Sequence, residues 1–223
     1  MASRNPDRVG QAVAALPGAV GFPDCDVRSP ARVAALFEFV HAHWGRLDIV
    51  VHSAGIGRAS SSDRLLPAPV TALPEEEWDA VMETNLRGAF LVCRAAARAM
   101  VAQRRGQILN VSSARGAVRG HAFGAAYCAS KMAVRVLFQC LASELAPFNV
   151  RVLSFLPDAV DTPLLTGTKL ARHGAMTPEE VGEFVAHMLT APLDLVVEEP
   201  LVLPLGGRSG KRRPGGEGSE SHA

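Results

Sequence analysis

Gly106-Gln107-Ile108-Leu109-Asn110-Val111-Ser112-Ser113 and, a short connection later, Tyr127-Cys128-Ala129-Ser130-Lys131 are the stretches that decide how this chain reads. The first is an apolar run of strand length ending in two serines. The second opens a segment of helical pattern from about Ala125 to Ala146, which Pro147 breaks. Tyr127 is the only tyrosine in 223 residues. Lys131 follows it by four positions, so both side chains lie on one helix face. An ammonium beside a phenol favours the phenolate and lowers its pKa. A tyrosine tuned in that way suits acid–base work near neutral pH. A serine hydroxyl at the end of the preceding strand could hold a carbonyl oxygen.

Working outward, strand-like and helical segments alternate, which predicts an α/β protein with a mainly parallel sheet. Upstream, residues 7–16 read as a short helix stopped by Pro17-Gly18, and Ala19 to Val27 as a strand. Ser29-Pro30 is a helix start with proline in the first turn, and Gly45 after Trp44 is its stop. Leu47 to His52 is a strand that runs into the small-residue loop Ser53-Ala54-Gly55-Ile56-Gly57. Residues 58–74 read as a long loop. Pro74 and three glutamates open a long helix carrying Trp78, Val81, Met82, Leu86, Phe90, Cys93, Ala97 and Met100. Downstream, Val150 to Leu156 is a strand, Thr177 caps a helix, and Leu201 to Leu205 forms a last strand. One domain over residues 1–205 and a disordered Gly/Ser/charge-rich tail over 206–223 are expected.

Leu47–Gly55, Thr84-Asn85-Leu86-Arg87-Gly88, Ile108–Gly116 and Tyr127–Lys131 resemble the short-chain dehydrogenase/reductase family in order and spacing. The resemblance implies a doubly wound, Rossmann-like parallel sheet that binds a nicotinamide dinucleotide at the carboxyl ends of its strands. It implies Tyr127 as the acid or base at the substrate oxygen. Lys131 then lowers the tyrosine pKa and bonds the nicotinamide ribose. Ser113, three residues before Gly116, holds the carbonyl oxygen, and Asn85 completes a proton relay to Lys131. For the cofactor it implies Asp26 and Val27 at the adenine, Ala54 and Gly55 beside them, and Pro157, Val160 and Thr162 near the nicotinamide. Tyr127 and Lys131 also count as cofactor contacts. Asp158 stands where glycine is usual, and a carboxylate there would repel a pyrophosphate unless turned to solvent. Ser3-Arg4 resembles the end of a second strand, where an arginine suits the 2′-phosphate of NADP(H) over NAD(H).

The same resemblance predicts an opening strand, a Gly-x-x-x-Gly-x-Gly loop and a helix, and this sequence has none of the three. That unit of roughly thirty residues carries the pyrophosphate cradle and the central strand of the sheet. A misassigned start is the favoured explanation and a real truncation the other.

Function classes narrow further. The net charge of +1 gives no pull towards nucleic acid or anionic membrane, and aromatic residues make up 5% of the chain. Cys25, Cys93, Cys128 and Cys140 include no C-x-x-C pair, so neither a metal site nor a disulfide framework is expected. No signal peptide or membrane span is legible, which predicts a cytoplasmic protein. The reading is therefore an NADP(H)-dependent oxidoreductase acting on a small ketone or alcohol as a homodimer or homotetramer. The alternative is a noncatalytic interaction subunit or cofactor-deficient relative of that family.

Overall fold

The computed structural model describes residues 1–57, 68–165, 175–192 and 199–203. Most of the 58–74 loop, residues 166–174 and the 206–223 tail lie outside these residues.

Four strands form one parallel sheet in the order β1 (Ile49–His52), β2 (Gly106–Val111), β3 (Val150–Pro157) and β4 (Leu201–Val202). Their order follows the chain, so each connection crosses one face of the sheet and returns in the same direction. Leu203 follows β4 as irregular chain. Val50, Ile108, Val150 and Val152 point to one face, where they pack against Ala89, Cys93, Ala96 and Met100 of α4 (Gly88–Gln103) and Val134 and Phe138 of α5 (Ala125–Leu145). On the other face, Leu109, Leu153 and Phe155 meet Met188 and Phe184 of α6 (Pro178–Thr190). Helices on both faces of a parallel sheet make this a Rossmann-like α/β fold.

The helix signals act as their chemistry requires. The Ser29 side chain accepts from Arg32 N at the start of α2 (Pro30–Trp44), and Gly45 ends that helix at φ 67°. Thr177 and Glu180 exchange side-chain and backbone hydrogen bonds in a complete capping box at α6. α1 (Pro6–Ala15) starts from Asn5, whose side chain accepts from Arg8 N. The long helix expected after Pro74 is α3 (Glu75–Met82) continued by α4, with a π turn over Glu83–Arg87 between them. The extra residue per turn in such a bulge turns side chains that a regular helix would aim elsewhere.

Ala19 to Val27 does not form the expected strand. Phe22 makes one isolated parallel bridge with Ala2, and Asp24 has a left-handed φ of 54° that ends extension. Among the described residues only the three N-terminal ones lie alongside it as a strand partner, through Phe22 N to Met1 O at 2.7 Å and Cys25 N to Ser3 O at 3.0 Å. β1 is correspondingly an edge: among the described residues no strand pairs with its side away from β2. Ile49 and Val51, on the face away from α4, are each 44% exposed, unusual in a parallel strand whose two faces are normally covered.

Candidate active site

Parallel strands bring their C-terminal ends to one rim, and the polar residues of this chain collect there. Beyond β2, Ser112 N donates to Phe155 O and Ala114 N to Pro157 O, each at 2.8 Å, so the exit of β2 stays beside β3. Ser113 sits between those two bonds. Its Oγ accepts from Gly116 N at 3.1 Å, a short turn that returns the chain towards α5.

Tyr127 is in the first turn of α5, with its hydroxyl facing Ser113. Gly116 lies against the ring, where a Cβ would come 2.7 Å from Tyr127 Cε1. One turn on, Lys131 is buried with Nζ 5.8 Å from the centroid of the tyrosine ring. Burial pulls the Lys131 pKa down to about 8. The Tyr127 pKa moves opposite to the sequence expectation. Burial pushes it above the ordinary phenol value, and the neighbouring Ser113 hydroxyl only partly offsets this. The phenolate loses more by leaving water than it gains from its surroundings.

Asn85 occupies the middle of the π turn and is buried. Its Oδ1 accepts from Ile56 N at 2.8 Å, while Nδ2 donates to Ile56 O at 2.9 Å and to Ser130 Oγ at 3.0 Å. Ser130 Oγ donates in turn to Tyr127 O at 2.8 Å. Asn85 therefore ties the loop after β1 to the turn of α5 that carries Tyr127. Gly55 completes the junction, where a Cβ would stand 3.3 Å from Asn85 Oδ1 and 3.4 Å from Lys131 Nζ. Asn85, Ser113, Tyr127, Lys131 and Gly55 thus meet at one place, with Ala54 beside them in the same loop.

Arg4, Asp26 and Val27 form a second group. Arg28 takes both Asp26 oxygens, with Nη2 to Oδ2 at 2.6 Å, and its hydrogen bonds hold the Asp26 carboxyl below its usual range. The Arg4 charge adds a smaller pull in the same direction. Val27 packs into the bare backbone at Gly88, where a Cβ would come 2.6 Å from Val27 Cγ2. Past β3, which Pro157 ends, Val160 bridges to Met176 and Thr162 Oγ1 donates to Val160 O at 3.3 Å. Asp158 neither stands free nor turns to solvent. Arg115 Nε donates to its Oδ1 at 2.6 Å, and its side chain is 6% exposed.

Three features of the site escaped the sequence reading: the part of Ser130, the pairing of Arg115 with Asp158, and the burial of His52. Ser130 could have been found as the residue three after Tyr127 on the same helix face. The Arg115–Asp158 pair is 43 positions apart and gave no local signal. His52, in register with Asn110 of β2, is buried near Lys131; burial first and that positive charge second pull its pKa to about 4. Among the described residues, no group of three or more His, Cys, Asp or Glu side chains could hold a metal ion. No helix there is long and apolar enough to cross a membrane.

Residues 1–172 match the family model for short chain dehydrogenase. An uncharacterized oxidoreductase of Staphylococcus epidermidis is 28% identical over 205 residues, covering 92% of this chain and 85% of the relative. Among solved structures, a metagenomic short-chain oxidoreductase in complex with NADP is 31% identical, with a TM-score of 0.73 over 91% of this chain and 83% of that one. An alcohol dehydrogenase from the archaeon Thermococcus sibiricus, complexed with 5-hydroxy-NADP, is 28% identical with a TM-score of 0.78 over 90% and 83%. NAD+-bound xylitol dehydrogenase is 25% identical with a TM-score of 0.73 over 84% and 80%. With a match over more than three quarters of its length, and with this fold, the chain belongs to the short-chain dehydrogenase family of oxidoreductases, whose members bind a nicotinamide cofactor.

Proposed function

We propose that this chain acts as a reductase for a small ketone, or a dehydrogenase for the matching alcohol, with Tyr127 as the proton-transferring group and NADP(H) as partner. The single observation that carries this reading is the placing of Ser113 beside Tyr127, one helical turn from the buried Lys131. Tyr127 with a raised pKa keeps its proton at neutral pH, so it can give that proton to the oxygen of a carbonyl being reduced. Ser113 steadies the same oxygen. Lys131, charged below about pH 8, favours the tyrosinate left behind. Asn85 holds the loop at Gly55 and Ile56 against α5, and its place in the π turn suits a relay that returns protons to Lys131.

The residues present fit the nicotinamide end of a dinucleotide. At Gly55 the backbone is bare beside the Lys131 ammonium, an opening that a side chain would fill. Ser112 Oγ and Thr84 Oγ1 are buried with no partner among the described residues. Tyr127, Lys131, Ala54, Gly55, Pro157, Val160 and Thr162 would hold that end; when bound, the nicotinamide supplies or takes the hydride. Arg4, Asp26 and Val27 would serve the adenosine end, and Arg4 with Arg28 gives that corner the positive charge a 2′-phosphate needs. Relatives with NADP and with NAD+ are both known structurally, so the preference rests on those arginines.

Assembly into a homo-oligomer and a cytoplasmic setting belong to the same reading. Trp78 and Phe90 on α3 and α4 and Val136 on α5 are 37%, 42% and 56% exposed, which offers apolar surface to a second copy. Cys25, Cys93, Cys128 and Cys140 are all free thiols, as suits a reducing compartment.

The test is NADPH oxidation with a panel of small ketones, comparing the parent with Tyr127→Phe. A fall of at least a hundredfold with the fold intact is expected. Equal turnover would sink the mechanism. A noncatalytic subunit is the second reading. The uncovered edge and face of β1, with Ile49 and Val51 exposed, favour it. Retained oligomers with no binding of either dinucleotide would select it.

A further inference from the structure

Arg115 lies inside the turn that Ser113 and Gly116 close beside Tyr127: Ser113 Oγ accepts from Gly116 N, and Gly116 lies against the tyrosine ring. Its side chain is 45% exposed, while its partner Asp158 is buried. The pairing is side-on, with Arg115 Nε to Asp158 Oδ1 at 2.6 Å and Nη2 to Oδ2 at 3.4 Å. A guanidinium has five N–H groups in a planar fork. With Nε and one side of Nη2 committed to Asp158, the end-on pair formed by Nη1 and Nη2 has no partner among the described residues. That remaining edge matches the two oxygens of a carboxylate.

The surrounding charge points the same way. From Thr84 to Ser143 the chain has no aspartate or glutamate, so the charged side chains of the β2–α5 connection are Arg115 and Arg119 alone. Arg115 has to draw its counter-ion from Asp158 across the rim of the sheet. Asp158 N donates to Val202 O at 3.0 Å and Ala114 N to Pro157 O at 2.8 Å, which fixes both ends of the pair. An arginine clamped at its inner edge and open at its outer edge loses little freedom on taking a ligand.

We propose that Arg115 anchors a carboxylate on the substrate, so that the preferred substrates are keto acids, or the matching hydroxy acids, whose carbonyl reaches Ser113 and Tyr127. This rests on the oxidoreductase reading of the same site. Asp158 is the positioning residue that aims the guanidinium.

Two pairs of probes test it: 4-acetylbenzoate with its methyl ester, and 4-oxopentanoate with its methyl ester. Each pair has the same ketone with and without the charge. Binding is measured by calorimetry on the full chain, with and without NADPH, and reduction is followed separately by NADPH oxidation. At least one acid should bind about tenfold or more tighter than its ester. The double variant Arg115→Met/Asp158→Asn, which strands no buried charge, should bring acid and ester within about twofold. Arg115→Lys should restore part of the preference, because it returns the charge but not the fork. Acids and esters binding alike in the parent, an unchanged preference in the double variant, or no binding of any probe would each overturn the proposal. Arg115-dependent acid binding without reduction would leave the anchor standing and remove the redox reading. Reduction with no acid preference would do the reverse.

Discussion

Asn85 holds both backbone polar groups of Ile56, accepting from its N–H at 2.8 Å and donating to its carbonyl at 2.9 Å. One side chain thus does for the loop after β1 what a neighbouring strand would do for a strand. The clamp fastens Gly55 within reach of Lys131, and through Ser130 it reaches the helix turn of Tyr127.

Removing the clamp should be costly. Asn85→Leu leaves Ile56 N–H and C=O without partners in a part-buried place, for an expected loss of about 3 kcal/mol. The check is the urea midpoint, with an unchanged slope showing that the unfolding remains comparable. A midpoint equal to that of the parent would mean that the clamp carries no stability.

Ser112 and Ser113 are adjacent and should behave differently. Ser113 Oγ accepts from Gly116 N and lies beside Tyr127, whereas Ser112 Oγ is buried without a partner among the described residues. Ser113→Ala should lower kcat about a hundredfold by removing the donor that steadies the substrate oxygen. Ser112→Ala should stay within about twofold. Steady-state kinetics on a ketone that the parent reduces would expose a reversed order.

His52 should make the fold acid-sensitive. Its pKa falls from 6.5 unfolded to about 4 folded, through burial first and the Lys131 charge second. Between these values the unfolded chain binds a proton that the folded chain refuses, so stability falls as pH drops from about 6.5 to 4. The full effect is on the order of 3 kcal/mol. His52→Asn should flatten that part of the stability profile, read by urea titrations at stepped pH. An identical acid slope in the variant would show that His52 does not titrate in this window.

Lys131 should act at the alkaline end. Burial lowers its pKa from 10.5 to about 8, so below pH 8 folding carries the cost of a buried ammonium. From about pH 8 to 10.5 the unfolded state binds more protons, and the Lys131 contribution to stability rises with pH. Compared with Lys131→Met, the parent should gain stability across that window and be relatively weaker at pH 7. Parallel pH profiles for the two proteins would contradict the burial argument.

Much of this was legible in one dimension because local chemistry writes local signals. Ser29-Pro30 with Gly45, Thr177 with Glu180, and Pro147 after α5 mark helix ends by hydrogen bonds and backbone angles that need no distant partner. The Tyr127–Lys131 spacing put two functional groups on one face for the same reason. The reading failed where a partner was required. Ala19–Val27 has strand composition, but among the described residues only Met1 to Ser3 lie alongside it as a strand partner, and the Arg32 side chain takes the Pro23 and Asp24 carbonyls, so extension stops at Asp24.

The alternation of segments, the helix caps and the tyrosine–lysine face therefore came from sequence alone, since each depends on residues within a turn or two. The direction of the Tyr127 pKa, the clamp of Asn85 on Ile56 and the union of Arg115 with Asp158 came from tertiary folding. Solvent exclusion and contacts across 29 and 43 positions arise only when strand ends and helix starts are gathered at one rim.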